Sequence, residues 1–201
     1  MKEVKFWRIK PEIRILGLDD GPFKPRSKGK VPLVGAVFRG GRWLDGVLMT
    51  YIDQDGTDVT ERLIEIVTRS RHRGQLRVLM SDGVTFGGFN VLDVRKVFEE
   101  TGLPLIVITR EIPDMAKIRK AIRNLPGWRE RLKVMKGAGK IYPVATKTRG
   151  RPVYMQLVGM KRADAESVVR LSSTRSLVPE PLRVAHLIAT AVVTGESYGR
   201  V

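Results

Sequence analysis

Between residues 13 and 109 the hydrophobic period of the chain switches in a fixed order, and that order constrains the fold more than any other feature. An apolar run over residues 13–18 is stopped by Asp-Asp-Gly-Pro and reads as a buried strand. "LVGAVFRGGRWLDGVLMTYI" supplies two further apolar runs joined at Gly40-Gly41, the pattern of a hairpin. "DQDGTDVTERLIEIVTRS" then changes to a helical period, with Thr60, Leu63, Ile64 and Val67 on one face. Asp58, followed three residues later by Glu61, predicts a capping box there. "LRVLMSD" returns to strand, "GGFNVLDVRKVFEETG" to a helix closed by Gly102, and "LPLIVITRE" to strand. The order β-β-β-α-β-α-β predicts an α/β fold: a mixed sheet, meander plus parallel strands, flanked by helices.

Beyond residue 110 the sequence predicts two short basic helices, "PDMAKIRKAIRNL" and "GWRERLKVMKG". A hairpin in "IYPVATKTRGRPVYMQLVG" follows, and then closing helices in "DAESVVRLSS" and "EPLRVAHLIATAVV". Pro181 stands at a favoured first-turn position. No repeat, low-complexity tract or linker interrupts residues 1–201, so a single domain is expected. The net charge of +16 favours a polyanionic partner, nucleic acid before membrane. Because there is no cysteine, thiol catalysis and Cys-based zinc sites are excluded, and two histidines are too few for a multi-histidine metal cluster. The N-terminus lacks the apolar core of a signal peptide and no run is long enough to span a membrane, so a cytoplasmic protein is expected.

In this topology the carboxyl ends of the first, third and fourth strands meet the start of the first helix at one sheet edge, where α/β folds bind ligands. That edge collects Asp19, Asp20 and Asp82 with some of Asp55, Asp58 and Glu61. Carboxylates at that density repel one another unless a cation lies between them, and oxygen ligands suit Mg²⁺ or Mn²⁺. A divalent metal beside a basic surface suits phosphodiester hydrolysis. Asp20 and Asp55 also read as turn residues and Asp58 as a helix cap. Asp19 and Asp82 are less easily assigned to shape alone, since each ends an apolar strand and is followed within two residues by a glycine. His186, on a helix beside Leu182, reads as a packing residue or a catalytic one.

"LGLDDGPF", "SDGVTFGGFNVLDV" and "VPEPLRVAHLI", in this order and spacing, resemble the archaeal endonuclease dU family, relatives of endonuclease V, over essentially the whole chain. "FGGFN" and "PEPLR" are the specific segments. Endonuclease V itself is similar in a colinear way. Its strand ending in Gly-x-Asp resembles Gly17-Leu18-Asp19, its apolar strand into Asp-Gly resembles residues 79–83, and its Pro-Glu-Pro-x-Arg-x-Ala-His helix resembles residues 179–186. Its strand-end lysine falls at Arg110, which keeps the charge and alters the geometry. Its remaining catalytic acid falls at Glu61 or Asp58. Two features depart from that pattern. The Pro-Tyr-Ile-Pro wedge is replaced by Thr50-Tyr51-Ile52-Asp53, so inosine specificity does not carry over, and residues 113–137 have no counterpart.

The resemblance implies a ribonuclease H-like, endonuclease V-like fold and a Mg²⁺- or Mn²⁺-dependent endonuclease acting near deaminated bases in DNA, deoxyuridine first. Asp19 and Asp82, with Glu61 or Asp58, would hold the metal. Arg110 would counter phosphate charge, and His186 would orient the water or sit close to the metal. Lys147, Arg149, Arg151, Lys161 and Arg162 would grip the backbone without reading sequence. Gly87, Gly88 and Phe89 would border a pocket for a flipped-out base. Two competing expectations remain: a non-catalytic nucleic-acid-binding protein, which needs no metal, and a ribonuclease on the same fold.

Overall fold

Three strands joined by short connections open the chain: β1 (Arg14–Asp20), β2 (Lys30–Arg39) and β3 (Trp43–Asp53). They form the expected antiparallel meander, turned at Gly40-Gly41. The computed structural model describes residues 3–25, 27–146 and 150–197. Helix α1 (Val59–Arg69) crosses the sheet and delivers β4 (Val78–Asp82) parallel to β1, with Leu18 beside Ser81. A two-stranded ribbon, β5 (Thr85–Phe86) and β6 (Asn90–Val91), precedes α2 (Val94–Thr101). Strand β7 (Leu105–Thr109) then pairs parallel to β4.

Helices α3 (Met115–Ile122) and α4 (Trp128–Gly137) come next, followed by the hairpin strands β8 (Tyr142–Val144) and β9 (Val153–Val158). Helices α5 (Arg162–Ser172) and α6 (Glu180–Thr194) close the fold. The main sheet runs β3-β2-β1-β4-β7-β9-β8. Among the described residues no helix is long and apolar enough to cross a membrane.

Alternation along the strands gives the sheet two apolar faces. Leu16, Leu18 and Leu79 pack with Leu63 and Val67 of α1 and Val97 and Phe98 of α2. Ile15, Val78 and Met80 pack on the opposite face with Val168 of α5 and Leu182 of α6. Period then fixes the acids: Asp19 and Asp82, four residues beyond Ile15 and Val78, end up on the α5–α6 face. Asp20 turns to the other side.

Two local expectations are corrected. The helix predicted to run on from "GGFN" begins only at Val94, because Asp93 caps it through bonds from Arg95 N and Lys96 N (3.1 Å each). The two glycines before it take positive φ and turn the β5–β6 ribbon instead. The capping box of Asp58 and Glu61 does not form. Asp58 holds the cap position with no capping bond, and Asn90 Oδ1 accepts from Val59 N (3.1 Å) in its stead.

Candidate active site

Residue 17 is a glycine for a steric reason: a Cβ there would overlap the backbone of Pro181. The first turn of α6 therefore lies directly on β1. Pro181 opens that helix without wasting a donor. Further along the same helix, His186 reaches down to the strand end, its Nδ1 2.8 Å from Asp19 Oδ2. Asp19 is only 6% exposed, and its other oxygen accepts from the backbone N of Asp20 (2.8 Å). Asp82 stands at the end of the neighbouring parallel strand. Asp19, Asp82 and His186 open onto a cleft of about 520 Å³, completed by Asp20, Gly21, Pro22, Phe23 and Thr190.

The electrostatics are those of crowded acids. Burial pushes the Asp82 carboxyl up to about 6, the charge of Asp19 adds to the rise, and Arg110 and His186 oppose it. The hydrogen bond to Asp19 raises His186, so that Nδ1 is held protonated and donates to the carboxylate. Asp20 is raised to about 7, chiefly by burial, against a bond from the backbone N of Gly87 (2.7 Å) and with a contribution from Asp19. A cation between Asp19 and Asp82 would relieve this repulsion, and two carboxylates are the donor type a hard divalent ion takes. The donor chemistry of these two residues fits such an ion. Among the described residues, however, no three Asp, Glu or His side chains gather as a ready ligand set.

Glu61 and Asp58 do not line the cleft. Glu61 instead pairs with Lys96 (2.6 Å) and borders a separate hollow with Thr60, Asp93 and Arg131. Asp58 Oδ1 accepts from Asn90 Nδ2 (2.7 Å) and from Asp53 N (3.1 Å), which makes it a structural bracket for the turn after β3. The turn over residues 53–58, which leads into α1, is tied to α4 and the β5–β6 ribbon rather than to the cleft.

Arg131 provides the tie to α4. Its guanidinium donates to the carbonyls of Gly56 (2.7 Å), Asp55 (2.8 Å) and Phe89. Asp55 takes the left-handed conformation (φ 51°), as befits a turn residue, and its Oδ1 accepts from Phe89 N (2.8 Å). A Cβ on Gly88 would overlap that carboxylate, so this loop must be glycine. Gly87, Gly88 and Phe89 thus lie beside the cleft, latched to Asp20 at one end and to Asp55 and Arg131 at the other. The sequence marks Asp20 as a turn residue. Its role as a strut between the strand end and this loop carries no sequence signal, and neither does that of Arg131.

Arg110 follows β7 at the same edge, and its charge acts on both Asp82 and His186. Arg151 precedes β9, whose start pairs with the end of β7, so it also lies towards this edge. Lys161 and Arg162 follow the far end of β9, beside the start of β7, and lie away from the cleft. Arg162 is committed to Glu166 (2.7 Å) and to the ring of Tyr142 (4.6 Å), which accounts for its place on structural grounds. Lys147 and Arg149 lie outside the described residues.

Comparison with known proteins bears on this arrangement. The sequence pattern described as endonuclease dU matches residues 11–193. A UPF0215 protein of Methanothermobacter thermautotrophicus is 52% identical over 200 residues, covering 99% of this chain and 97% of its own. A crystal structure of an Archaeoglobus fulgidus protein of unknown function is similar, with TM-score 0.82, 38% identity, 90% of this chain covered and 99% of that one. At the level of fold alone, Ciona intestinalis endonuclease V, solved with DNA containing an inosine, is also similar: TM-score 0.56, 12% identity, 86% and 82% covered.

Proposed function

The chain belongs to the endonuclease dU family, and we propose that it is a divalent-metal-dependent DNA endonuclease that hydrolyses a phosphodiester near a deaminated base, deoxyuridine first. The observation that carries this reading is the pairing of Asp19 and Asp82 on one face at the ends of two adjacent parallel strands, with His186 bonded to the first and the charge of Arg110 acting on the second. Asp19 and Asp82 would hold Mg²⁺ or Mn²⁺, which when bound supplies charge neutralisation at the phosphate and eases ionisation of water.

The remaining roles belong to the chain itself. His186 is oriented through Nδ1, which leaves Nε2 to hold a water or a phosphate oxygen. Arg110 offers planar donors to the phosphate as charge moves to the leaving oxygen. The fixed Gly87–Phe89 loop gives an extruded base a close backbone edge. The fold of endonuclease V structures bound to inosine-containing DNA supports nucleic acid as the partner.

The test uses end-labelled duplexes carrying one deoxyuridine, one inosine or neither, with Mg²⁺ and with EDTA, alongside matched RNA. Metal-dependent nicking of the uracil strand, abolished in Asp82→Asn, is the expected result. Cleavage of RNA alone would reassign the substrate. Binding with every strand intact would make the protein a non-catalytic nucleic-acid binder.

A further inference from the structure

Helices α3 and α4 add nothing to the two carboxylates, yet residues 115–140 carry nine Lys or Arg against one Glu. The pair is anchored through a small apolar cluster in which Ile122, Leu132 and Met135 meet Val91 of the ribbon. Ile118 is half-buried against this cluster, and the rest of α3 faces water. Lys117 and Lys133 have local acids, Asp114 and Glu130, each at 3.5 Å. Arg119, Lys120, Arg123, Arg129 and Lys136 have no carboxylate oxygen within 4.0 Å among the described residues. The guanidinium carbons of Arg123 and Arg129 lie 5.6 and 4.7 Å from the ring centroid of Trp128. Cation–π contact of this kind holds charged groups in place before a ligand arrives and so reduces the rotamer entropy forfeited on binding.

These charges are continuous with the edge that carries the acids. An apolar hollow of about 440 Å³ is bounded on one side by Gly83 and Thr109, the chain neighbours of Asp82 and Arg110. Its far wall includes Arg119 and Lys136. A second hollow of about 470 Å³ shares those two residues and extends to Arg123, Trp128 and Arg129. The spacing suits a polymer of phosphates. Arg119 and Arg123, the latter at the C-cap of α3, are four residues and so about 6 Å apart along the axis, near the roughly 7 Å that two successive phosphate steps of a DNA strand cover along its own axis.

We propose that α3 and α4 form a clamp for the phosphate backbone of duplex DNA, holding the flank of the substrate outside the cleft. The clamp rests on nucleic acid being the partner of this protein, as proposed above, and not on its being cleaved. It grips phosphates alone, so it adds affinity and register and carries no base specificity.

Fluorescence anisotropy with a labelled lesion-bearing duplex, titrated at several salt concentrations, tests it. The Arg119→Gln/Arg123→Gln/Arg129→Gln/Lys136→Gln variant is expected to bind at least about tenfold more weakly. Its log–log salt slope should flatten by about 2–4, close to one for each phosphate no longer neutralised. Single-turnover nicking at saturating protein should stay within about twofold of the unsubstituted enzyme, since no reacting group is touched. An unchanged affinity and slope would overturn the clamp. Should the unsubstituted protein bind with the steep slope and never nick, the nuclease reading fails while the clamp stands.

Should the variant not fold, lysine acetylation of the unsubstituted protein decides. Duplex should shield Lys120 and Lys136 relative to Lys10, which lines a hollow at the start of β1. Equal labelling with and without duplex, or equal shielding by polyglutamate, would overturn the assignment.

Discussion

The two flanks of the acid-bearing edge are built by opposite means. On one flank α6 is pressed onto β1 at Gly17, and His186 is bonded to an acid that is 6% exposed. On the other, α3 and α4 rest on a few apolar side chains and hold their charges in water. The first flank depends on distances. Its interactions are poorly screened, and in the proposed reaction one misplaced atom would be felt at the reacting group. The second depends on the number of charges. Each contributes modestly, they substitute for one another, and salt weakens them together. Rate and affinity should therefore separate: substitutions on the α6 flank change the chemistry, and those on the α3–α4 flank change occupancy.

The largest expected effect sharpens that contrast. Asp82→Asn or Asp19→Asn should cost at least about 10³-fold in single-turnover nicking, while the salt slope of duplex binding stays that of the unsubstituted protein. A parallel fall in affinity would blur the two flanks into one. Next, Gly17→Ala forces a Cβ into the Pro181 backbone and should destabilise by about 3 kcal/mol, read as a lowered urea midpoint. A neutral result would mean that α6 is not rigidly seated.

Arg131→Met strips donors from the carbonyls of Asp55, Gly56 and Phe89 and should cost about 2–3 kcal/mol. That is far more than a surface arginine of the same segment, such as Arg123→Gln, which should stay within about 0.5 kcal/mol. Urea unfolding of the two variants side by side checks the difference, and equal midpoints would remove Arg131 from its bracing role.

The smallest effect is set by pH. Asp20 in the fold titrates at about 7 against an ordinary 3.8, so its ionisation opposes folding. That penalty begins near pH 4, grows to pH 7 and is complete above it. In EDTA, Asp20→Asn keeps an acceptor for Gly87 without the charge, so it should be the more stable form above pH 7 by about 1–2 kcal/mol. The thermal midpoints should converge near pH 4. A constant gap across that range would exclude Asp20 as its source.

What can be read from the sequence follows the range of the forces involved. The strands and their order are legible because alternation and apolar runs are local, and Asp19 and Asp82 are legible because each ends such a run. His186 reads from its helix as a packing residue or a catalytic one, and only the resemblance favours the second. Nothing in its own helix announces that the first turn will sit on Gly17 and bring the imidazole to Asp19. Asp58 and Glu61 mislead because a capping box is a local pattern, whereas Asn90, from the ribbon, displaces it through a tertiary bond. Arg131 is hidden for the same reason. Three of its partners are backbone carbonyls 42 to 76 residues away, and carbonyls leave no trace in a sequence.

The bond between Asp19 and His186 joins residues 167 positions apart. At a synthesis rate of about 5–20 residues per second, the first strand waits roughly 8–30 s on the ribosome for its partner. During that interval β1 can pair with β2, yet the face that will receive α6 stays bare. The emerging chain therefore passes through a stage that has a sheet and no imidazole beside its first acid. The contact between Asp19 and His186 is thus among the last of the fold to be made.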